Sequence, residues 1–338
     1  MRDCHTMSSV ARDIVRLSFA IFLGGVFAGY LWPTEALSQV TPPTVTVLAP
    51  DADESTERIL NGLRSNLSKN GLDTSFHLVT LSDFVGAEKS ALAAVLKDAP
   101  KVIVTIGSRA TELVTGRVKN IPVVFAGVFH PDASGFVKSM DAPGANVTGA
   151  SLDILPATQF RYFQQVCPKV KKVGLIYSSA TAKVASHARI VAKEAGLELI
   201  TYEIPSKNGA VNIRELMAAV EKMLNDVDGL WSLADPQIFS PTATKAIIRS
   251  ALRRRTPIMG FSSHIVESGA LFALDFDYKD IGRQAGNSVA LILQGEMPAK
   301  IPVTQPRIVW FSYNERTASL LSVIIPQELT TIAKEVFK

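Results

Sequence analysis

Short apolar runs alternate with helix-like segments along almost the whole chain after Val45. The clearest unit is the run from Val102 to Ile106, which consists of β-branched residues and is typical of a strand buried on both faces. Gly107 and Ser108 break this run, so a helix is expected to begin at once. Alternation of this kind with short connections predicts an α/β fold built from doubly wound parallel sheets.

The alternation restarts after Ser151, which gives two successive sets of βα units of about 110 residues each. Units of that size favour two similar lobes over one large sheet. The predicted strands are 44–49, 73–79, 102–106, 122–126, 173–177, 197–204, 229–233, 257–260 and 270–274. The predicted helices are 55–70, 88–98, one starting near 108, 156–166, 181–195, 211–225, 241–255 and 279–294.

Loops at the carboxyl ends of parallel strands line the ligand crevice of open α/β sheets. Ser108 is expected to cap the helix that follows 102–106, where oriented N–H donors suit a carboxylate or similar anion. Other polar or aromatic residues close to strand ends are also candidate ligand contacts. They are Asp51, Arg109, Thr111, Phe129, His130, Ser178, Ser179, Asp235, Ser262 and Asp275.

Three of these candidates have an equally good structural explanation. Asp51, together with Asp53, either faces the crevice or caps the following helix. Phe129 either stacks on an apolar part of a ligand or belongs to the core. Arg109 either pairs with an anion or is a solvated side chain in the first turn of a helix.

The N-terminal segment has the pattern of a secretory signal peptide over residues 1–38. Arg2, Arg12 and Arg16 precede an apolar run from Leu17 to Trp32, and Ala36-Leu37-Ser38 supplies the small residues of a cleavage site. The alternative is a retained anchor helix, but the run is short for a span of about 20 apolar residues. We therefore expect a periplasmic or other extracytoplasmic protein, with no direct membrane insertion after cleavage.

The sequence gives little support to catalysis or nucleic-acid binding. The formal net charge is only +4 over 338 residues, and a nucleic-acid protein concentrates its basic residues in a patch or stripe. The chain after residue 38 contains no G-x-S-x-G, H-E-x-x-H, C-x-x-C, Walker or G-x-G-x-x-G motif. His130 and Asp132 could bind a metal or move a proton, but a metal site needs three or four ligands. We predict no enzyme activity, no metal and no cofactor.

The segment IGSRATELV, followed by IPVVFAGVFHPDASGFVKSMDAPGANVTGAS, resembles the signature region of the ABC-transporter substrate-binding protein family. The similarity continues through QFRYFQQVCPKVKKVGLIY and DIGRQAGNSVALILQGEMPAKIPV, so it covers essentially everything after about Val45. The chain departs from the family at His130, where Asp is usual, and at Ala145, where Gly is usual. The resemblance implies a type I periplasmic-binding fold, in which a hinge joins two lobes around a ligand cleft.

The resemblance further implies that the chain crosses between the lobes more than once. Lobe 1 would comprise 44–150 plus 271–297, and lobe 2 would comprise 151–270 plus 298–338. The function implied is a receptor that delivers a small solute to the permease of an ABC importer. Ser108 would contact the ligand, and Asp235 would take its amino group, although Pro236 replaces the Asn that usually follows.

We therefore expect a monomeric receptor that closes its hinge around an amino acid or a related small carboxylate. Ser108 on lobe 1 and Asp235 on lobe 2 are both expected on exposed strand-end loops. One alternative is a membrane-anchored ligand sensor. The other is an exported α/β hydrolase centred on His130 and Asp132.

Overall fold

The computed structural model describes residues 42–207 and 210–338, and the predicted signal peptide lies outside these ranges. The first sheet has five parallel strands in the order β2-β1-β3-β4-β5. These strands are β1 (Thr44–Ala49), β2 (Ser75–Thr80), β3 (Val102–Ile106), β4 (Val123–Val128) and β5 (Val147–Ser151).

The second sheet has seven strands, here labelled β6, β7 and β10 to β14. Their bounds are β6 (Lys172–Ser178), β7 (Glu198–Ile204), β10 (Gly229–Trp231), β11 (Ile258–Gly260), β12 (Phe272–Phe276), β13 (Val309–Asn314) and β14 (Ala333–Phe337). Their spatial order is β14-β13-β12-β11-β10-β6-β7, and only β12 and β13 pair in antiparallel fashion. Two very short strands, β8 (Ser206–Lys207) and β9 (Ala210–Val211), pair with each other.

Helices connect most of the strands. They are α1 (Glu54–Lys69), α2 (Glu88–Leu96), α3 (Gly107–Arg117), α4 (Pro156–Val166), α5 (Ala182–Glu194), α6 (Ile213–Met223), α7 (Pro241–Arg253), α8 (Ser263–Glu267), α9 (Tyr278–Leu293), α10 (Glu315–Leu321) and α11 (Gln327–Ile332). Short 3₁₀ turns cover Leu81–Phe84, Ser179–Thr181 and Pro298–Lys300.

Each sheet is covered by apolar clusters on both faces, as a doubly wound fold requires. In β3, Val102, Val104 and Ile106 pack into one cluster, whereas Ile103 packs into the cluster on the opposite face. Side chains alternate between the two faces of a strand, so a strand buried on both faces needs an apolar residue at nearly every position. The predicted fold class, two parallel-sheet lobes of the type I periplasmic-binding kind, is confirmed.

Two predicted lobe boundaries need correction. Residues 271–276, expected in lobe 1, hold β12, which pairs with β11 and β13 in the second sheet. The chain therefore crosses to lobe 1 between Phe276 and Tyr278, not at residue 271. Residues 298–304, expected in lobe 2, remain at the edge of the first sheet, where the N–H of Thr304 donates to Gly149 O at 3.0 Å.

After the crossing, α9 packs closely on α1 of lobe 1. A Cβ on Gly62 of α1 would lie 2.0 Å from Lys279 O, and a Cβ on Gly282 of α9 would lie 2.0 Å from Ile59 O. Only glycine permits backbones to approach this closely. This contact anchors the returning chain to lobe 1 and fixes the position of the crossing next to the lobe interface.

Candidate functional site

A cleft of about 470 Å³, which we call the first cleft, lies between the two lobes. Its volume is in the range of sites that enclose small molecules, roughly 300–1,000 Å³. Lobe 1 contributes Ser108, Phe129 and His130, which follow β3 and β4. Lobe 2 contributes residues that follow β6, β10 and β11, among them Asp235 and Phe261.

The lobe 1 wall includes the first turn of α3. The helix begins at Gly107, whose φ of +77° lies in the left-handed region that glycine adopts freely. Ile106 occupies the N-cap position, and no side chain caps the helix. The predicted capping by Ser108 is therefore wrong, because Ser108 lies inside the helix. It is exposed and lines the cleft at a helix end whose first N–H groups have no partner within the helix and favour negative charge.

Two other candidates on α3 do not line the first cleft. Thr111 is fully buried, and its hydroxyl donates to Gly107 O at 2.8 Å and contacts Thr105 Oγ1 at 2.9 Å. It holds the strand-to-helix turn in place. Arg109 is exposed and lines a separate groove on lobe 1 together with Glu112 and Arg117.

His130 lies beyond the end of β4 in a left-handed conformation with φ of +50°. Its backbone N–H donates to both carboxylate oxygens of Asp153 at 3.0 Å, and its ring Nδ1 lies 2.9 Å from Asp153 Oδ1. This contact assigns the proton of a neutral ring to Nδ1 and leaves Nε2 as an acceptor. Nε2 is buried and has no hydrogen-bond partner among the described residues, while the residue lines the first cleft.

Asp132 does not act with His130. Its carboxylate pairs with Lys183 of α5 at 2.9 Å, so it forms an ion pair between lobe 1 and lobe 2. Burial raises the pKa of Asp132, but the hydrogen bond and charge of Lys183 outweigh this effect and hold the pKa below its ordinary value. The structure thus gives His130 and Asp132 different partners, and they do not form the paired centre that the hydrolase alternative needs.

Asp235 is the central residue of the lobe 2 wall. It is 1% exposed, which corrects the expectation of an exposed loop position. Its Oδ2 accepts from the Ser178 N–H at 2.8 Å and the Thr181 hydroxyl at 2.7 Å, and its Oδ1 accepts from the Gln237 N–H at 3.0 Å. The ion pairs of the described residues do not include Asp235. A buried carboxylate with three donors and no cation on a cleft wall favours a cationic group in the ligand.

Aromatic rings supply the apolar part of the first cleft. Phe129 of lobe 1 contacts Phe261 of lobe 2 edge-on, with ring centroids 6.5 Å apart. Phe239 packs edge-on against Phe261 at 5.4 Å. All three rings are half-buried and line the cleft, so they can cover a flat or bulky apolar group.

The remaining predicted candidates lie around the cleft or away from it. Ser178 is fully buried and positions Asp235, whereas Ser179 is exposed and lies near Ser206. Asp51 is exposed, and Asp53 caps α1 by accepting from the Thr56 N–H. Ser262 is half-buried at the start of α8, and Asp275 lines a different cavity between the lobes.

Several lining residues escaped the sequence analysis. Thr181, Phe239 and Phe261 line the first cleft, and Asp153 orients His130. Phe261 directly follows β11 and Asp153 follows β5, so the strand-end rule applied to every strand would have nominated both. Phe239 gives no such signal, because it reaches the cleft from the loop before α7.

The family profile described as ABC transporter substrate binding protein matches residues 44–337. The chain belongs to this family. Its members are substrate-binding receptors rather than enzymes. They lie outside the cytoplasm, bind small solutes and work with the permeases of ABC transporters. In residues 42–207 and 210–338, no helix has both the length and the apolar character needed to cross a membrane.

Similar proteins agree with this assignment. A tyrosine-binding protein of Clostridioides difficile is 25% identical over 274 residues, which cover 81% of this chain and 78% of that protein. Two solved structures share the fold, each over 88% of this chain. One is an ABC domain from Streptococcus pneumonia in complex with L-Trp, with 23% identity, a TM-score of 0.67 and 100% of that chain covered. The other is a ligand-free, open substrate-binding protein from Clostridium difficile, with 20% identity, a TM-score of 0.70 and 99% covered.

Proposed function

We propose that this protein is the exported receptor of an ABC importer and that it captures an amino acid by closing its two lobes around it. The observation that carries the proposal is the buried Asp235 carboxylate, which lines the same cleft as the helix end at Ser108. Asp235 would bind the ligand ammonium. Ser108 and the free N–H groups of α3 would bind its carboxylate.

Both walls are needed to reach a useful affinity. Micromolar binding requires about 8 kcal/mol, whereas charge at a helix N-terminus contributes roughly 0.3–2 kcal/mol. The remainder must come from Asp235 and from burial of apolar surface on the Phe129, Phe239 and Phe261 rings. Hinge closure would bring these contributions together around one solute.

Among amino-acid ligands, the one that fits the first cleft best has an aromatic side chain with a hydrogen-bond donor. The three Phe rings offer edges and faces to an aromatic group, and Nε2 of His130 can accept from a phenol O–H or an indole N–H. Tyrosine and tryptophan have these groups, and phenylalanine lacks the donor. The relative named for tyrosine binding and the neighbour in complex with L-Trp support this choice.

Thermal-shift screening tests the proposal. Purified protein starting at Gln39 would be heated with each L-amino acid, with D-tyrosine and D-tryptophan as stereochemical controls, and with sugars, nucleosides and organic acids. A specific ligand at 100 times its Kd stabilises the fold by about 2.7 kcal/mol and raises the melting temperature. We expect the largest rise with an aromatic L-amino acid. A rise with a sugar or nucleoside and none with any amino acid would overturn the proposal.

Export requires its own measurement. Protein recovered from the periplasm or medium should begin near Gln39 by mass spectrometry. An intact N-terminus in a membrane fraction would instead support the anchored sensor. The same preparation should elute as a monomer in size-exclusion chromatography with light scattering.

A further inference from the structure

A second cavity, of about 340 Å³, lies between the lobes on the other side of an aromatic ridge. Phe129 contacts Phe276 edge-on at 5.9 Å, and Phe276 contacts Tyr278 at 5.2 Å. Phe129 lines the first cleft, whereas Phe276 and Tyr278 line the second cavity. We propose that the second cavity is a binding site for a small organic cation, a primary amine in its ammonium form.

Negative charge dominates the lining of this cavity. Four carboxylates line it, from Asp53, Glu54, Asp275 and Glu335. Arg58 also lines it, but its guanidinium pairs with Glu54 at 2.9 Å. The other three carboxylates form no ion pair with Arg58. His264 is 84% exposed and lies 3.7 Å from Glu267.

Asp275 provides the fixed charge of the second cavity. It is 8% exposed, and its carboxylate accepts from the N–H groups of Ser263 at 3.0 Å and Phe276 at 2.8 Å. No ion pair of the described residues includes Asp275. A buried carboxylate is costly without a compensating cation, and a ligand ammonium would supply one.

Ser312 gives independent support for a ligand. It lies on β13, is 1% exposed and lines the second cavity, yet its hydroxyl oxygen has no hydrogen-bond partner among the described residues. Buried hydroxyls in folded proteins are nearly always hydrogen-bonded. An ammonium N–H directed at Ser312 would satisfy this oxygen and lie in the same cavity as the Asp275 carboxylate.

Aromatic rings point to an organic cation. Trp310 and Tyr278 line the cavity, and the faces of such rings attract ligand cations. The ammonium of Lys334 lies 4.4 Å from the Trp310 ring centroid, which leaves the Tyr278 ring as the one without a cation–π partner among the described residues. Burial, followed by the charge of Asp275, raises the pKa of Tyr278 to about 12, so its hydroxyl stays neutral. In the described part of the chain, no three His, Cys, Asp or Glu side chains are grouped to hold a metal ion.

Both lobes contribute to the second cavity. Asp53 and Arg58 belong to the start of α1 in lobe 1, whereas Asp275 and Ser312 belong to the second sheet. A cation bound here would contact both lobes and so bias the same hinge as a ligand in the first cleft. Any effect of the cation on amino-acid affinity must then be matched by an equal effect of the amino acid on cation affinity.

Titration calorimetry with putrescine tests this site, and tetramethylammonium chloride, a cation without an N–H donor, should bind more weakly. The titrations use protein starting at Gln39 in the absence of amino acid, with sodium chloride at matched ionic strength as the reference. We expect saturable binding of putrescine, weakened at least tenfold in Asp275→Asn and about fivefold in Ser312→Ala, since a net hydrogen bond is worth about 1 kcal/mol. Glu88→Gln, which removes a carboxylate paired with Arg117 on lobe 1, should have no effect.

Ser312→Ala keeps the test decisive if Asp275→Asn fails to fold, because it removes an oxygen that has no hydrogen-bond partner among the described residues. Absence of saturable binding above the sodium chloride reference overturns the proposal. So does a loss of binding in Asp235→Asn with unchanged binding in Asp275→Asn, which would place the amine in the first cleft. Binding of the amine that depends on Asp275, in a protein that binds no amino acid, would support the second cavity while rejecting the function proposed above.

Discussion

The two walls of the first cleft hold their polar groups in opposite ways. On lobe 1, Ser108 is exposed, and the other donors are backbone N–H groups at the start of α3. On lobe 2, Asp235 is buried, and three donors fix its carboxylate. The lobe 2 wall therefore depends on one side chain, whereas the lobe 1 donors survive most substitutions. Mutations on the two sides should have unequal effects on ligand affinity.

The largest effect is expected for Asp235→Asn, which keeps the shape of the side chain and removes its charge. Hydrogen bonds to charged groups are worth about 1.5–3 kcal/mol, so amino-acid affinity should fall about ten- to a hundredfold. Titration calorimetry with the amino acid found by thermal shift measures this loss. An unchanged affinity would show that Asp235 does not bind the ammonium group.

Asp235→Ala should also destabilise the ligand-free protein. The Ser178 N–H, the Thr181 hydroxyl and the Gln237 N–H would all lose their acceptor, and an unsatisfied buried donor costs about 1–3 kcal/mol. A lower melting temperature than in the Ser108→Ala control is the expected result. Equal melting temperatures for Asp235→Ala and Ser108→Ala would contradict the contrast between the buried Asp235 on lobe 2 and the exposed Ser108 on lobe 1.

His130→Asn should have an intermediate and ligand-dependent effect. Asn tolerates the left-handed backbone at this position but cannot place an acceptor where Nε2 lies. Because a hydrogen bond contributes about 1 kcal/mol, tyrosine affinity should fall about fivefold while phenylalanine affinity stays the same. Chelators should change neither affinity nor stability. An equal loss for both amino acids would mean that His130 only shapes the cleft.

Ser108→Ala should weaken binding about two- to threefold, the low end for a neutral hydrogen bond. Gly107→Ala should be compared with this variant. It adds about 1–2 kcal/mol of backbone strain at a φ of +77° and so shifts the backbone N–H donors of α3 themselves. Calorimetry should therefore rank Gly107→Ala as the more damaging change. The reverse order would assign the lobe 1 contact to the Ser108 hydroxyl.

The smallest effect is expected for Lys183→Ala, which removes the ion pair between the lobes. Lys183 is 61% exposed, and such pairs contribute at most about 1 kcal/mol, so amino-acid affinity should fall about twofold. Because the pKa of Asp132 is lowered, the pair stays charged at neutral pH and is lost as the pH falls through that lowered value. The difference between the two proteins should shrink as the pH falls below the ordinary carboxyl value of about 3.9, and it should vanish only below the lowered pKa of Asp132. A difference that persists there would exclude the ion pair as its cause.

Local patterns predicted much of the fold. The predicted bounds of β1, β3 and α4 match the structure, because long apolar or amphipathic runs are sufficient to define these elements. β5 gave no clear signal, since VTGAS is short and contains Gly149, where a Cβ would lie 2.1 Å from Phe125 O. The sheet to which β12 belongs depends on pairing with β13, and a strand's own residues do not encode its partner.

The candidate site was less predictable, for a physical reason. The strand-end rule placed Ser108, Phe129, His130 and Asp235 at the first cleft, and the structure brings these four residues together. The rule could not distinguish a residue that lines the cleft from a residue that holds a lining residue in place. Thr111 faces Thr105 in the interior, and Ser178 holds Asp235. Burial and hydrogen-bond direction, which separate these roles, arise only when the lobes are assembled.

The most direct test of the account is a double-mutant cycle between Asp235 and the ligand ammonium. Calorimetry would measure the unmodified protein and Asp235→Asn, each with L-tyrosine and with its analogue lacking the amino group, 3-(4-hydroxyphenyl)propionate. If Asp235 binds the ammonium, the substitution weakens L-tyrosine at least tenfold and leaves the analogue unchanged or bound more tightly. Equal losses for both ligands, or an analogue that binds the unmodified protein as tightly as L-tyrosine, would contradict capture of an amino acid between the two walls.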